Sequence, residues 1–133
     1  MDDKTVQYIV VRESLNMSIG KTAAQACHAT QLMVEEYYRC HKIVKTTPWY
    51  GAHIPDKVKD TCYAYHCWLN DDYAKIVLRA DEKQWAKLLE LPDVIVITDN
   101  GLTEVPPDTQ TVLTFVPVKK SGAPKLIKRL RLL

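Results

Sequence analysis

Apolar positions along the chain follow two periods. Alternating or unbroken apolar runs predict strands over Val6–Arg12, Ala74–Ala80, Val94–Thr98 and Thr109–Val116. The run Val94-Ile-Val-Ile-Thr98 is continuously β-branched, as in a strand buried on both faces. Between the strands the period lengthens to that of a helix. One helix is expected from Ile19 to Tyr38, ending near Cys40, after a loop at Glu13–Asn16. A second is expected over Lys57–Leu69, capped by Asp56, with Val58, Cys62, Tyr65 and Leu69 inward. A third, Glu82–Leu89, is capped by Asp81, turns Trp85, Leu88 and Leu89 inward and stops before Pro92. A fourth is expected over Lys125–Leu132 with Pro124 at its start. Residues 42 to 56 carry Pro and Gly signals and read as loop, as do Asp99-Asn-Gly101 and Val105–Asp108.

Strands alternating with helices predict an α/β fold, with helices covering both faces of a small mixed sheet. In open sheets of this kind, ligands sit at the carboxyl ends of strands. Asp99 ends one strand there, and the first helix starts there.

The segment Met17-Ser-Ile-Gly-Lys-Thr-Ala-Ala-Gln-Ala-Cys-His-Ala-Thr30 stands out. Ser18 is a natural N-cap residue, because its hydroxyl can accept from a free amide of the first turn. Lys21, Gln25 and His28 fall at i, i+4 and i+7 and share one face. Ala23, Ala26, Cys27, Thr30, Met33 and Val34 lie mostly on other faces, and Cys27 is expected in the core. A Lys/Gln/His stripe on an alanine-rich helix is unusual for packing alone and points to a cleft.

The 133 residues suffice for one domain spanning 1–133 with its own core. The start carries no basic segment followed by an apolar one, and no apolar run is long enough to cross a bilayer. These features lead us to expect a cytoplasmic protein without membrane contact. Four cysteines without a disulfide-framework spacing read as free thiols. The net charge of +2 is uneven: residues 119 to 133 hold six basic residues and no acid, leaving the rest at −4. A basic end on an acidic body is a footprint that phosphate can use, although a solvated amphipathic helix has the same composition.

Several motifs in order carry a resemblance. Met17–Ala29, Lys75–Leu78, Thr98–Thr103 and Pro107–Leu113 together resemble the peptidyl-tRNA hydrolase family of archaeal and eukaryotic type. The resemblance spans Val6 to Leu133, apart from a segment near Lys42–Cys67 that looks longer than usual. It implies a three-layer α/β/α sandwich around a four-stranded sheet, often as a homodimer. It implies hydrolysis of the ester joining a peptide to the 3′ end of tRNA, without metal or cofactor. Carried over by position, Lys21 and Asp99 are the catalytic pair, and Thr103 and Thr111 line the same cleft. Gly20, Gln25 and His28 are its substrate-binding positions. Two positions depart from the family pattern: Ile19 replaces a lysine, and Glu104 replaces a glutamine.

Two other classes fit parts of the sequence. A non-catalytic RNA-binding module would use the basic end, Lys21, and Trp49 or Tyr50 as stacking surfaces. A zinc-stabilised variant would draw ligands from Cys40, His41, His53, Cys62, His66 and Cys67.

Overall fold

The computed structural model describes residues 3–48, 53–102 and 104–133. Trp49, Tyr50 and Thr103 lie outside the described residues. In chain order the elements are β1 (Thr5–Arg12), a 3-10 turn (Glu13–Leu15), α1 (Ile19–Thr46), α2 (Asp56–Asn70), β2 (Lys75–Ala80) and α3 (Glu82–Leu88). Then come β3 (Ile95–Asp99), β4 (Thr109–Thr114), β5 (Val118–Lys119), a second 3-10 turn (Lys120–Gly122), α4 (Lys125–Lys128) and β6 (Arg131–Leu132).

The sheet is mixed, in the order β3-β4-β1-β2-β6, with β5 pairing β1 off that path. It therefore has six strands among the described residues, not four. The two additional strands are two-residue pairings, too short to leave a periodic signal in the sequence. β1 runs parallel to β2 and antiparallel to β4, and β3 is antiparallel to β4. β1, β2 and β3 thus point the same way. Their carboxyl ends, Arg12, Ala80 and Asp99, share one rim of the sheet.

Alternation along β1 divides the core. Val6, Tyr8 and Val10 pack with Leu78, Trp85, Leu88, Leu113 and Ile127. Ile9 and Val11 pack with Ala29, Ile97 and Val112. The buried Gln7 fits because both ends of its amide are bonded: Nε2 donates to Thr114 Oγ1 at 3.2 Å, and Oε1 accepts from Thr30 at 3.0 Å.

Helix α3 is fixed as expected, by a reciprocal capping box. Asp81 accepts from Gln84 N at 2.7 Å, and Gln84 accepts from Asp81 N at 2.9 Å. Other expectations need correction. Helix α1 continues to Thr46 instead of stopping near Cys40. Met33, Tyr37 and Cys40 are all buried, so its inner stripe persists, and no Pro or Gly interrupts it before Pro48. On α2, Pro55 holds the cap position and Asp56 lies inside the first turn. Its buried residues are Val58, Thr61 and Trp68, whereas Cys62, Tyr65 and Leu69 are only half-buried. Thr61 buries cheaply because its hydroxyl donates to Lys57 O at 2.9 Å.

Strand β3 is an edge strand, so only Ile97 in its apolar run is fully buried. The C-terminal helix ends at Lys128, and Arg131–Leu132 instead pair with the open edge of β2. That pairing supplies partners to backbone groups an edge would leave bare. Leu133 N adds a bond to Val77 O at 3.1 Å. Among the described residues, no helix is long and apolar enough to cross a membrane.

Candidate active site

The site forms where α1 begins, beside the carboxyl end of β3. Ser18 caps α1, its hydroxyl accepting from Lys21 N at 3.2 Å. Glu104 then clamps the same helix end. One carboxylate oxygen accepts from Ser18 N at 2.7 Å, and the other accepts from the Ser18 hydroxyl. A carboxylate at a helix N-terminus is favoured by the unpaired amides and the helix dipole. The Ser18 contacts, hydroxyl first, hold the Glu104 carboxyl below its ordinary range, and the Lys21 charge adds to them. The departure at position 104 therefore reads differently in three dimensions: its negative charge is engaged by α1. Sequence reasoning missed this clamp. The available signal was an acid in the loop after a strand that ends beside a helix start.

Lys21 and Asp99 form the centre. Lys21 Nζ donates to Asp99 Oδ1 at 2.6 Å, and the two side chains are only 11% and 10% exposed. Gln25 Nε2 donates to the same oxygen at 3.1 Å. Gly101 N donates to Oδ2 at 2.7 Å. These donors, Lys21 foremost, hold the Asp99 carboxyl below the ordinary aspartate range. A carboxylate offers about four lone-pair directions, and three donors leave one open. A poorly basic carboxylate with one free acceptor is suited to orienting a water molecule, less so to deprotonating it.

Thr111 is fully buried, and its hydroxyl donates to Gln25 Oε1. That bond fixes the amide so that its NH2 end meets Asp99. Thr111 thus lies behind the site, and its proton is already committed to Gln25. Thr111→Val should cost about 2 kcal/mol, because Gln25 Oε1 is left buried without a donor. Urea unfolding measures the loss. Activity should fall roughly tenfold through kcat, and Thr111→Ser should restore it. A purely structural threonine would not give that rescue.

The recess in front of the pair measures about 450 Å³ and is bordered by Lys21, Gln25, His28, Asp99, Leu102 and Glu104. His28 is exposed on its wall. Gly20 is exposed on the first turn of α1, away from the recess, and a Cβ there would meet nothing within 4 Å. Ile19 projects into solvent, 91% exposed. A larger groove of about 770 Å³ opens near the amino end of β3, between Leu91–Ile95, Phe115–Val118 and α2. Its walls are mainly apolar, and the ion pair there, Lys57–Asp93, is solvent-exposed. The smaller recess holds the sequestered charges and is the better candidate.

Residues 5–133 match the model of the family described as Peptidyl-tRNA hydrolase PTH2. The chain belongs to this family. It is 35% identical to a peptidyl-tRNA hydrolase of Pyrobaculum aerophilum over 90% of this chain and 95% of that one. It is 31% identical to a peptidyl-tRNA hydrolase of Methanococcus vannielii over 96% and 97%. Peptidyl-tRNA hydrolase 2 of Saccharomyces cerevisiae is 30% identical over 93% of this chain and 56% of its own length.

The zinc reading finds no donor set. Among the described residues no three His, Cys, Asp or Glu side chains are grouped as metal ligands. His41 instead stacks on Tyr37 at 5.3 Å, and His66 meets that ring edge-on at 5.7 Å. Cys40 is buried, Cys62 and Cys67 are half-buried, and Cys27 is exposed, not a core residue. Cys27 lies on the outer side of α1, between the half-buried Ala26 and the exposed His28.

Proposed function

We propose that this protein hydrolyses the ester between a peptide, or an N-blocked amino acid, and the 3′ end of tRNA. The reading rests on family membership and on one observation, the sequestered Lys21–Asp99 pair at the mouth of a recess. Water adds to the ester carbonyl carbon, and the carbonyl oxygen takes on negative charge. Collapse of that adduct breaks the bond to the ribose oxygen, which receives the proton the water loses. Asp99 holds the attacking water through its free lone pair. Lys21 has three ammonium protons and gives one to Asp99, so two remain for the developing oxyanion or the terminal phosphate. Gln25 and Thr111 fix the carboxylate, His28 borders the substrate, and Thr103 supplies a further hydroxyl.

An ester is intrinsically labile, so orientation and charge stabilisation suffice and no nucleophilic side chain is required. The family supports three further readings: helices on both faces of the sheet as three layers, pairing of two copies, and a cytoplasmic setting. The test is cleavage of an N-blocked aminoacyl-tRNA. Wild type should release free tRNA, and Lys21→Ala should fall by about a hundredfold or more. Binding of tRNA without cleavage by wild type would favour an RNA-binding module.

A further inference from the structure

A second recess, basic in its lining, lies on the same rim of the sheet, at its other end. It measures about 400 Å³ and is bordered by Arg79, Arg129, Arg131, Glu13, Asp81 and Gln84. Arg79 and Arg131 are paired across β2 and β6, so their guanidiniums are brought together by register. Arg129 follows from the end of α4. The two carboxylates leave a net positive charge on the set, three arginines against two acids. Asp81 is turned to cap α3 at 2.7 Å. Glu13 reaches Arg79 only at 3.5 Å. Neither Arg129 nor Arg131 joins an ion pair among the described residues. Arg79 Nε is buried and has no acceptor among them. An N–H of this kind is met by an ordered water or by an anion, and the Arg79 side chain is 38% exposed and borders the recess.

Position identifies the anion. Asp99 ends β3, and Arg79 and Arg131 sit at the same rim on β2 and β6. Across the order β3-β4-β1-β2-β6, β6 lies four strands from β3. At ~4.8 Å per strand the recess is roughly 19 Å from the Lys21–Asp99 pair. Between them Arg12 is neutralised by Glu82, at 2.6 and 2.8 Å. The rim thus carries a cluster of cationic side chains apart from the Lys21–Asp99 pair. Guanidiniums grip phosphate oxygens through paired N–H bonds, a geometry suited to a nucleic-acid backbone.

We propose that Arg79, Arg129 and Arg131 form a distal phosphate site that holds the double-stranded acceptor-stem backbone of tRNA while its 3′ end occupies the Lys21–Asp99 recess. The proposal rests on the hydrolase reading for its substrate. It makes the basic chain end a built part of the enzyme rather than a diffuse charge.

The experiment uses the full chain and the double variant Arg129→Gln/Arg131→Gln, both exposed positions, with Arg79→Gln as a second variant. Two substrates are compared, full-length N-blocked aminoacyl-tRNA and the same ester on a short single-stranded CCA fragment. The double variant should lose roughly tenfold of the full-length substrate's advantage in kcat/KM, through KM. Its log–log salt slope for uncharged tRNA should fall by about two. Lys42→Glu/Lys45→Glu, at the far end of α1, should do neither. An unchanged substrate ratio and salt slope overturn the distal site, and so does an equal effect of the Lys42/Lys45 variant. If wild type cleaves neither substrate, the hydrolase reading fails separately. The salt slope for tRNA then decides the distal site alone.

Discussion

Asp99→Asn is expected to lower kcat by about a thousandfold while the protein stays folded. The substitution keeps the size and planarity of the side chain and removes its charge. Asp99 accepts from Lys21, Gln25 and Gly101, all donors. An asparagine offers one acceptor oxygen and one NH2 group in place of two acceptors. Its NH2 must confront either the Lys21 ammonium and the Gln25 amide or the Gly101 amide. The Lys21 ammonium is then uncompensated, and no carboxylate holds the water. KM should move little, since in the proposed complex the tRNA body is held at Arg79, Arg129 and Arg131. The decisive measurement is single-turnover cleavage of N-blocked aminoacyl-tRNA, with the folded state checked by thermal unfolding. Retention of near-wild-type kcat would remove Asp99 from the mechanism.

The same contacts fix a pH signature. The folded-state carboxyl is held below its ordinary value, so the native protein binds fewer protons there than the unfolded chain. The stabilisation it supplies is present above the unfolded value, near pH 4, and is lost as pH falls through the lower folded value. Activity depending on ionised Asp99 should therefore hold through pH 5 and decline only below about pH 4. Profiles of kcat/KM report the free enzyme, where the Lys21 contact is in place. A limb near neutral pH would assign the essential base to another group. In Asp99→Asn the acid-side loss of stability below about pH 4 should be correspondingly smaller.

Much of this site was legible because its signals are local. Ser18, Lys21 and Gln25 lie on one helix whose period and cap can be read in order, and Asp99 ends a recognisable apolar run. The relations between segments were not legible. The resemblance marks Thr111 as a cleft position, but its bond to Gln25 shows only once the sheet pairs β3 with β4. The capping role of Glu104 leaves no local signal because its partner, Ser18, is 86 positions away. The β-branched run Val94–Thr98 suggested a strand buried on both faces, yet the strand order puts β3 at the edge, a fact that composition does not encode. The basic chain end was read as a helix because Pro124 and its spacing permit one. Tertiary context won: an unpaired edge on β2 captures Arg131 and Leu132. That capture also turns scattered basic residues into a cluster with Arg79.

Gly101→Ala is expected to remove most activity although it replaces no ionisable group. Gly101 has φ +75°, a conformation that an L side chain adopts at a cost of about 1 to 2 kcal/mol. Sterics add more, because a Cβ built there lies 2.3 Å from Pro107 N and 2.6 Å from its Cα. Both atoms are backbone and cannot swing aside. The loop must open, and the prolines at 106 and 107 leave it few alternative conformations. Gly101 N is the donor to Asp99 Oδ2, so that shift loosens the carboxylate from the side opposite Lys21. A displacement near 1 Å at a reacting group is worth about a hundredfold in rate. We expect kcat to fall by that factor, with a loss of stability of a few kcal/mol confined to the loop and to the Glu104 clamp it carries. Gly20→Ala is the matched control: its Cβ meets nothing within 4 Å and it lies on a helix. Stability there should rise slightly, by about 0.5 to 1 kcal/mol. Urea midpoints and kcat for the two variants separate loop geometry from a general intolerance of glycine replacement. Full activity in Gly101→Ala would mean that the Asp99 carboxylate keeps its place without the Gly101 amide, leaving Lys21 and Gln25 as its effective supports.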